Sequence, residues 1–288
     1  MNKATDDINN KYLSEMLNAS DDTTLGKVRD LWWPSLLDFI KSNGIEYALN
    51  NLDLAMEKGN VEFRLRADKY AASQGHQKDT AKYIQLVSQF LKSNTGKMFE
   101  RFVGLSLSHC LLISKSDYCV VPFKIEYLKY YHDLTFNDFL IKVKLGKKNL
   151  TTHIDSDLIA FNLKNESAPI YMISVKSTLK DRFHNVPFWN VLKSASIVKG
   201  YKDITAVNPK VLTKAFYVSA CSDLAVEQPD FRTQTGPRNL LCIDAALLDG
   251  AFVTASKARG LGSDKGPVIG NDRISAFYPL SRFFLLLK

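Results

Sequence analysis

Asp155-Ser156-Asp157-Leu158-Ile159-Ala160-Phe161 and Ile170-Tyr171-Met172-Ile173-Ser174-Val175-Lys176 decide the reading of this chain. Each holds a short apolar run rich in β-branched and aromatic residues, the pattern of a strand rather than of a long helix. The connection over 162–169 is polar and carries Lys164-Asn165-Glu166-Ser167, so the two runs predict a β-hairpin. An acid opens the first strand, and a lysine closes the second, 19 positions after Asp157. On a hairpin those two ends meet. Side chains alternate along a strand, so Met172, Ser174 and Lys176 share a face. A charge at the end of so apolar a run is out of place unless it reaches a cleft at the strand end.

A carboxylate and a lysine converging on one point suit phosphodiester hydrolysis. The attacking water must be oriented and made more basic, and charge growing on the phosphate must be offset. A carboxylate can hold Mg²⁺ for part of this work. A lysine beside it can position or deprotonate the water and stabilise the growing charge. By spacing alone, an Asp followed by Ser-x-Lys has low specificity, and a surface Asp beside a surface Lys is the ordinary alternative.

Upstream, residues 1–110 read as helical. Trp32-Trp33-Pro34 followed by Leu36, Leu37, Phe39 and Ile40 predicts an amphipathic helix starting at the proline and stopping at Asn43-Gly44. Asp79 is the expected cap of a helix carrying Tyr83, Ile84, Leu86, Val87, Phe90 and Leu91. Asn94-Thr95-Gly96 is expected to interrupt it. A further helix is expected from Lys97, with Phe99, Phe102, Val103 and Leu107 on its apolar face. Trp32 and Trp33 read as core, and Arg64, Arg66, Lys69 and Tyr70 as a solvated helix face.

Cys119-Val120-Val121-Pro122-Phe123, Ala215 to Ala220, and Leu240-Leu241-Cys242-Ile243 are further strand candidates. Phe188 to Val198 reads as a helix with Phe188, Val191 and Leu192 on one side. Strands alternating with helices predict an α/β or α+β fold with a mixed central sheet. The Gly-rich basic stretch 254–273 lacks the spacing of a phosphate loop or a dinucleotide fingerprint. It reads as a DNA-touching loop or a solvated connection.

Across all 288 residues, 38 Lys and Arg against 30 Asp and Glu give a net charge of +8, a balance that favours a polyanionic partner. Cys110, Cys119, Cys221 and Cys242 form no CxxC pair, which argues against a zinc or redox motif and for reduced, mostly buried thiols. The polar start, residues 1–10, has no apolar stretch of a signal peptide, and no run of 18 apolar residues appears. A cytoplasmic protein without a membrane segment is expected. The closing apolar run 283–287 reads as core.

The hairpin resembles the active-site core of PD-(D/E)xK nucleases. It is most similar to the type II restriction endonucleases typified by EcoRII, NgoMIV and BsaWI, which cut sites containing CC:GG pairs. Asp157, Lys176 and the triplet Lys180-Asp181-Arg182 fall on that pattern, and 175–182 is its most specific part. Thr95-Gly96-Lys97-Met98-Phe99-Glu100 resembles a helix start in the same enzymes whose Glu lies near the metal. The resemblance covers residues 94–200. It implies a restriction-endonuclease-like core over 93–288, a helical region over 1–92 for dimerisation or DNA-backbone contacts, Mg²⁺ as cofactor, and a homodimer on double-stranded DNA. Asp157, Lys176 and Glu100 are the implied catalytic residues, with Asp157 and Asp155 on the metal. Lys180, Asp181 and Arg182 can read C:G pairs, since Arg can take guanine O6 and N7 and Asp can accept from cytosine N4.

Two departures stand out. Ser156 replaces the expected Pro, and the position of a further metal-binding Glu falls near Trp189, with no acid between Asp181 and Asp203. Either Glu100, Asp155 or Glu166 completes the site, or the metal shell is thinner. His153 and His184 flank it and read as structural or solvated. The rival readings are a non-catalytic nucleic-acid-binding protein and a structure-selective repair nuclease on the same fold.

Overall fold

In the computed structural model the expected hairpin lies inside a six-stranded mixed sheet. The structure describes residues 3–18, 31–131, 134–153, 156–176, 185–197, 203–206, 208, 211, 213–220, 247–254, 268–269, 272–273 and 278–288. The chain opens with helices α1 (Lys3–Asn18), α2 (Trp33–Asn43), α3 (Ile45–Asn50), α4 (Leu52–Ser73) and α5 (Ala81–Ile113). Then come β1 (Tyr118–Pro122), the short α6 (Ile125–Leu128), β2 (Leu140–Leu145), β3 (Lys148–His153) and the hairpin strands β4 (Leu158–Asn162) and β5 (Ile170–Lys176). Next are α7 (Asn185–Ile197), β6 (Ile204–Ala206), β7 (Thr213–Ser219) and β8 (Gly250–Val253). The two-residue strands β9 (Val268–Ile269), β10 (Asp272–Arg273) and β11 (Tyr278–Pro279) lead to α8 (Leu280–Leu287).

The main sheet runs β1-β4-β5-β7-β8-β11. β1, β4 and β5 are antiparallel neighbours, while β5, β7, β8 and β11 run parallel. A second sheet, β3-β2-β6, stands apart from it. The fold class is therefore α+β with a mixed sheet between helices, as the alternation of periodicities predicts.

Both faces of the sheet are covered. Leu158 and Ala160 of β4 and Tyr171, Ile173 and Val175 of β5 join a core with α5 and α8. Ile159, Phe161, Ile170 and Met172 point the other way, into a second core with Ile8 and Tyr12 of α1 and Tyr127 and Leu128 of α6. Covering on both sides explains the continuous apolar runs of these strands. Trp32 is 1% exposed and packs against Phe63 and Phe102, so it is core. Phe283, Phe284 and Leu287 are buried in α8. Cys110 and Cys119 are buried free thiols, and burial pushes Cys110 up to about 12.

Two local expectations need correction. Asn94-Thr95-Gly96 does not break a helix, because α5 runs unbroken through it. Asn94 Nδ2 donates to the Phe90 carbonyl at 2.9 Å and Thr95 Oγ1 to that of Leu91 at 2.6 Å. Their polar groups are thus satisfied along the helix instead of ending it. Burial of Met98, Phe99, Phe102 and Val103 outweighs the cost of about 1 kcal/mol for a mid-helix glycine. The α5 cap is Thr80, whose hydroxyl accepts from Tyr83 N at 3.2 Å; Asp79 takes φ 69° just before it. The helix expected over 188–198 is α7; Phe188 and Val191 share its outward side, 56% and 45% exposed, while Val186 and Asn190 are buried. Asn190 is fixed by donating to the Leu247 carbonyl at 2.8 Å. The 240–243 strand, Cys221, Cys242 and most of the 254–273 stretch lie outside the described residues.

Candidate active site

The open end of the β4–β5 hairpin builds the site. Leu158 pairs with Ile173, a register that sets Asp157 opposite Ser174 with Lys176 one pleat further on the same face. Lys176 leans back along this diagonal, and its Nζ donates to Asp157 Oδ2 at 2.7 Å. The Val175 backbone N–H donates to the same oxygen at 2.7 Å, and the Ser174 hydroxyl more loosely at 3.5 Å.

The backbone around the carboxylate is pinned too. Asp157 N donates to the Ile173 carbonyl at 2.9 Å, and Phe123 N donates to the Asp157 carbonyl at 3.0 Å. The Ser156 hydroxyl donates to the Leu158 carbonyl at 2.7 Å and lies 3.2 Å from that of Ile173. Ser156 therefore ties the entry of β4 to β5. Its role, and those of Ser174 and the Val175 N–H, could not be read from the sequence, because no motif reports which hydroxyls a register brings together.

The side chains of Lys176 and Asp157 are 20% and 15% exposed. They are shielded enough for strong electrostatics yet open enough to meet a ligand. The location also suits ligand binding. Lys176 pairs with Ser219 and Ser219 with Val253, so Lys176 sits at the carboxyl ends of the parallel strands, where open α/β sheets bind ligands.

Glu100 lies in the middle of α5, so the helix start expected just before it is not realised. One turn along, at Gly104, a Cβ would meet the Tyr12 hydroxyl and lie 3.0 Å from Leu158 Cδ2. Glu100 lies one helical turn before that contact. Burial, then its charge, pushes the Tyr12 phenol far above the ordinary range. Glu166 is excluded as a completing acid. It lies in the β4–β5 connection, at the opposite end of the hairpin from Asp157 and Lys176. Asp155, Lys180, Asp181, Arg182 and His184 lie outside the described residues, as does the side chain of His153. Arg66 is paired with Glu62 along α4 at 3.2 Å, as a solvated helix face would have it.

Among the described residues, no group of three or more His, Cys, Asp or Glu is gathered. An all-protein metal cage is therefore not assembled from them. The donor set fits a hard cation held by one carboxylate, because Mg²⁺ commonly keeps waters and takes phosphate oxygens as its other ligands. The three contacts described on the Asp157 carboxylate all fall on Oδ2. No protein-family model matches the chain, and no curated protein matches it. Among the described residues, no helix is long and apolar enough to cross a membrane.

Proposed function

We propose that this chain is a Mg²⁺-dependent type II restriction endonuclease that makes sequence-specific double-strand cuts at a short palindromic DNA site. The observation that carries the reading is the 2.7 Å contact of Lys176 Nζ with Asp157 Oδ2 at the carboxyl edge of the sheet. The net charge of +8 supports a polyanionic substrate. Asp157 would hold the Mg²⁺, which would supply Lewis-acid charge at the scissile phosphate. Lys176, already oriented by Asp157, would position the attacking water and offset charge on the phosphate. Asp155 and Glu100 are the proposed supporting acids. Lys180, Asp181 and Arg182 follow Lys176 closely and would read base edges, with CC:GG as the favoured content. A homodimer would match the two-fold symmetry of the site.

One observation favours a second reading, a non-catalytic DNA-binding protein on this fold: the described residues bring no trio of acids together. Incubating the purified chain with unmodified phage DNA, with Mg²⁺ and then with EDTA, separates the two. A discrete ladder seen with Mg²⁺ and absent with EDTA is expected. Lys176→Ala should keep most of the wild-type binding and cut at least about 100-fold more slowly. Binding without cutting by the wild type would favour the second reading, and cuts confined to junctions or ends would favour a repair nuclease. A Lys176→Ala protein that cuts at the wild-type rate removes that lysine from the chemistry.

A further inference from the structure

We propose that the β2–β3 hairpin is a DNA-binding ribbon that enters the major groove beside the Asp157–Lys176 pair, an inference resting on the reading of that pair as a DNA-cutting site. β2 and β3 pair from Leu140 with His153 to Leu145 with Lys148. Gly146, at φ 60°, takes the first central place of the two-residue turn, which a type II′ hairpin turn gives to glycine. Residues 140–153 carry Lys142, Lys144, Lys147 and Lys148 and no acid, and all four lysines are exposed. Among the described residues none of the four joins an ion pair.

The register sorts the ribbon into two faces. Lys142 stands opposite Thr151 and Lys144 opposite Asn149, so one face is made of amine, hydroxyl and amide groups. On the other face Leu145 and Leu150 are 60% and 51% exposed. The base is anchored in a three-stranded sheet, since Ile141 is 3% exposed and Ile141, Lys142 and Val143 pair with Ala206, Thr205 and Ile204 of β6, so the hairpin is two-stranded only toward its 145–148 tip. The tip therefore stands in solvent on both faces.

A two-stranded ribbon is one of the elements the major groove of DNA, about 12 Å wide, admits. Lysine can meet guanine or phosphate, asparagine can pair with adenine, and leucine can lie on a thymine methyl. β3 ends four residues before Asp157, so chain length alone keeps the His153 backbone within about 14 Å of the Asp157 backbone. On the proposed reading, a duplex with a phosphate at Lys176 would run past the base of the ribbon and meet its tip along the groove.

The test is a salt titration of DNA binding in Ca²⁺, by fluorescence anisotropy on a short duplex. It compares the wild type with a variant carrying K142A, K144A, K147A and K148A and with a set carrying glutamine at the same positions. Circular dichroism checks that both variants fold. The expected result is at least tenfold weaker binding at about 0.1 M salt, with the slope of log K against log salt reduced by about 3. Variants that bind with the wild-type slope and affinity overturn the proposal, because the lysines would then only keep the exposed hairpin tip and the β3 edge soluble. Duplex RNA competing as well as DNA also overturns it, since the A-form major groove does not admit side chains. Mg²⁺-dependent cutting by the wild type is scored in parallel. A wild type that cuts while the variants bind unchanged removes the ribbon and leaves the nuclease. A wild type that binds through the ribbon without cutting removes the nuclease and leaves the ribbon.

Discussion

The Val175 backbone N–H and the Lys176 ammonium converge on one oxygen of Asp157, each at 2.7 Å. Two consecutive residues of one strand thus hold the carboxylate from the neighbouring strand. The backbone donor is fixed by the sheet, so it orients the carboxylate whatever its charge. The lysine adds the charge complement. Structural positioning and electrostatic pairing are therefore separable by mutation.

Asp157→Asn keeps an acceptor for the Val175 N–H and removes the negative charge. It should fold with a melting temperature close to that of the wild type and lose Mg²⁺-dependent cutting by at least about 100-fold. Asp157→Ala leaves the Val175 donor without its partner and should be less stable by about 1–3 kcal/mol. Denaturant unfolding of the two variants checks this. Equal stability would show that the carboxylate does not hold the strand ends.

Gly104 lets α5 lie on the start of β4. A methyl group there would run into the Tyr12 hydroxyl and sit 3.0 Å from Leu158 Cδ2. Tyr12 is 1% exposed and Leu158 1%, so neither can swing into solvent. Gly104→Ala should cost about 1–3 kcal/mol by overpacking, despite its better helix propensity. Because Leu158 follows Asp157 directly, cutting should fall along with stability. A variant at least as stable as the wild type in urea unfolding would contradict this packing.

The hairpin and its charged pair were legible because two rules, alternation and antiparallel pairing, jointly place Asp157 and Lys176. The continuity of α5 was not legible. It depends on Asn94 and Thr95 bonding back to carbonyls one turn earlier and on buried residues further along, neither visible in a local window. The β2–β3 ribbon escaped notice because its lysine-rich alternation has little apolar signal and its partner β6 is distant in sequence. The outward turn of Phe188 on α7 follows from Asn190 bonding to Leu247, a contact across 57 positions.

His109 offers a pH signature. It packs edge-on against Trp33 with ring centroids 5.1 Å apart, and burial holds its imidazole below the ordinary 6.5. The folded state therefore binds fewer protons than the unfolded chain below that value. Its contribution is fully present above 6.5 and is lost as pH falls toward the lowered folded value. His109→Phe keeps an aromatic ring against Trp33 and removes the titration. The melting temperature of the wild type should drop more than that of His109→Phe between about pH 7.5 and about pH 5.5. Parallel curves for the two proteins would assign the acid sensitivity elsewhere.

Metal removal should separate binding from cutting in a way that depends on Asp157. Without a divalent ion, the wild-type site pairs one negative charge with one positive, so Lys176 is engaged at 2.7 Å and offers little to a phosphate. Asp157→Asn frees that ammonium and takes away the charge that repels the backbone. In EDTA the variant should therefore bind duplex DNA more tightly than the wild type, by about three- to thirtyfold at low salt. Adding Ca²⁺ should narrow the gap, since a cation on the wild-type carboxylate neutralises it and releases Lys176 toward the phosphate. Anisotropy titrations of both proteins in EDTA and in Ca²⁺ measure the difference directly. Affinities that stay equal in EDTA would mean that DNA does not approach Asp157 and Lys176, and the proposed scissile phosphate would have to lie elsewhere.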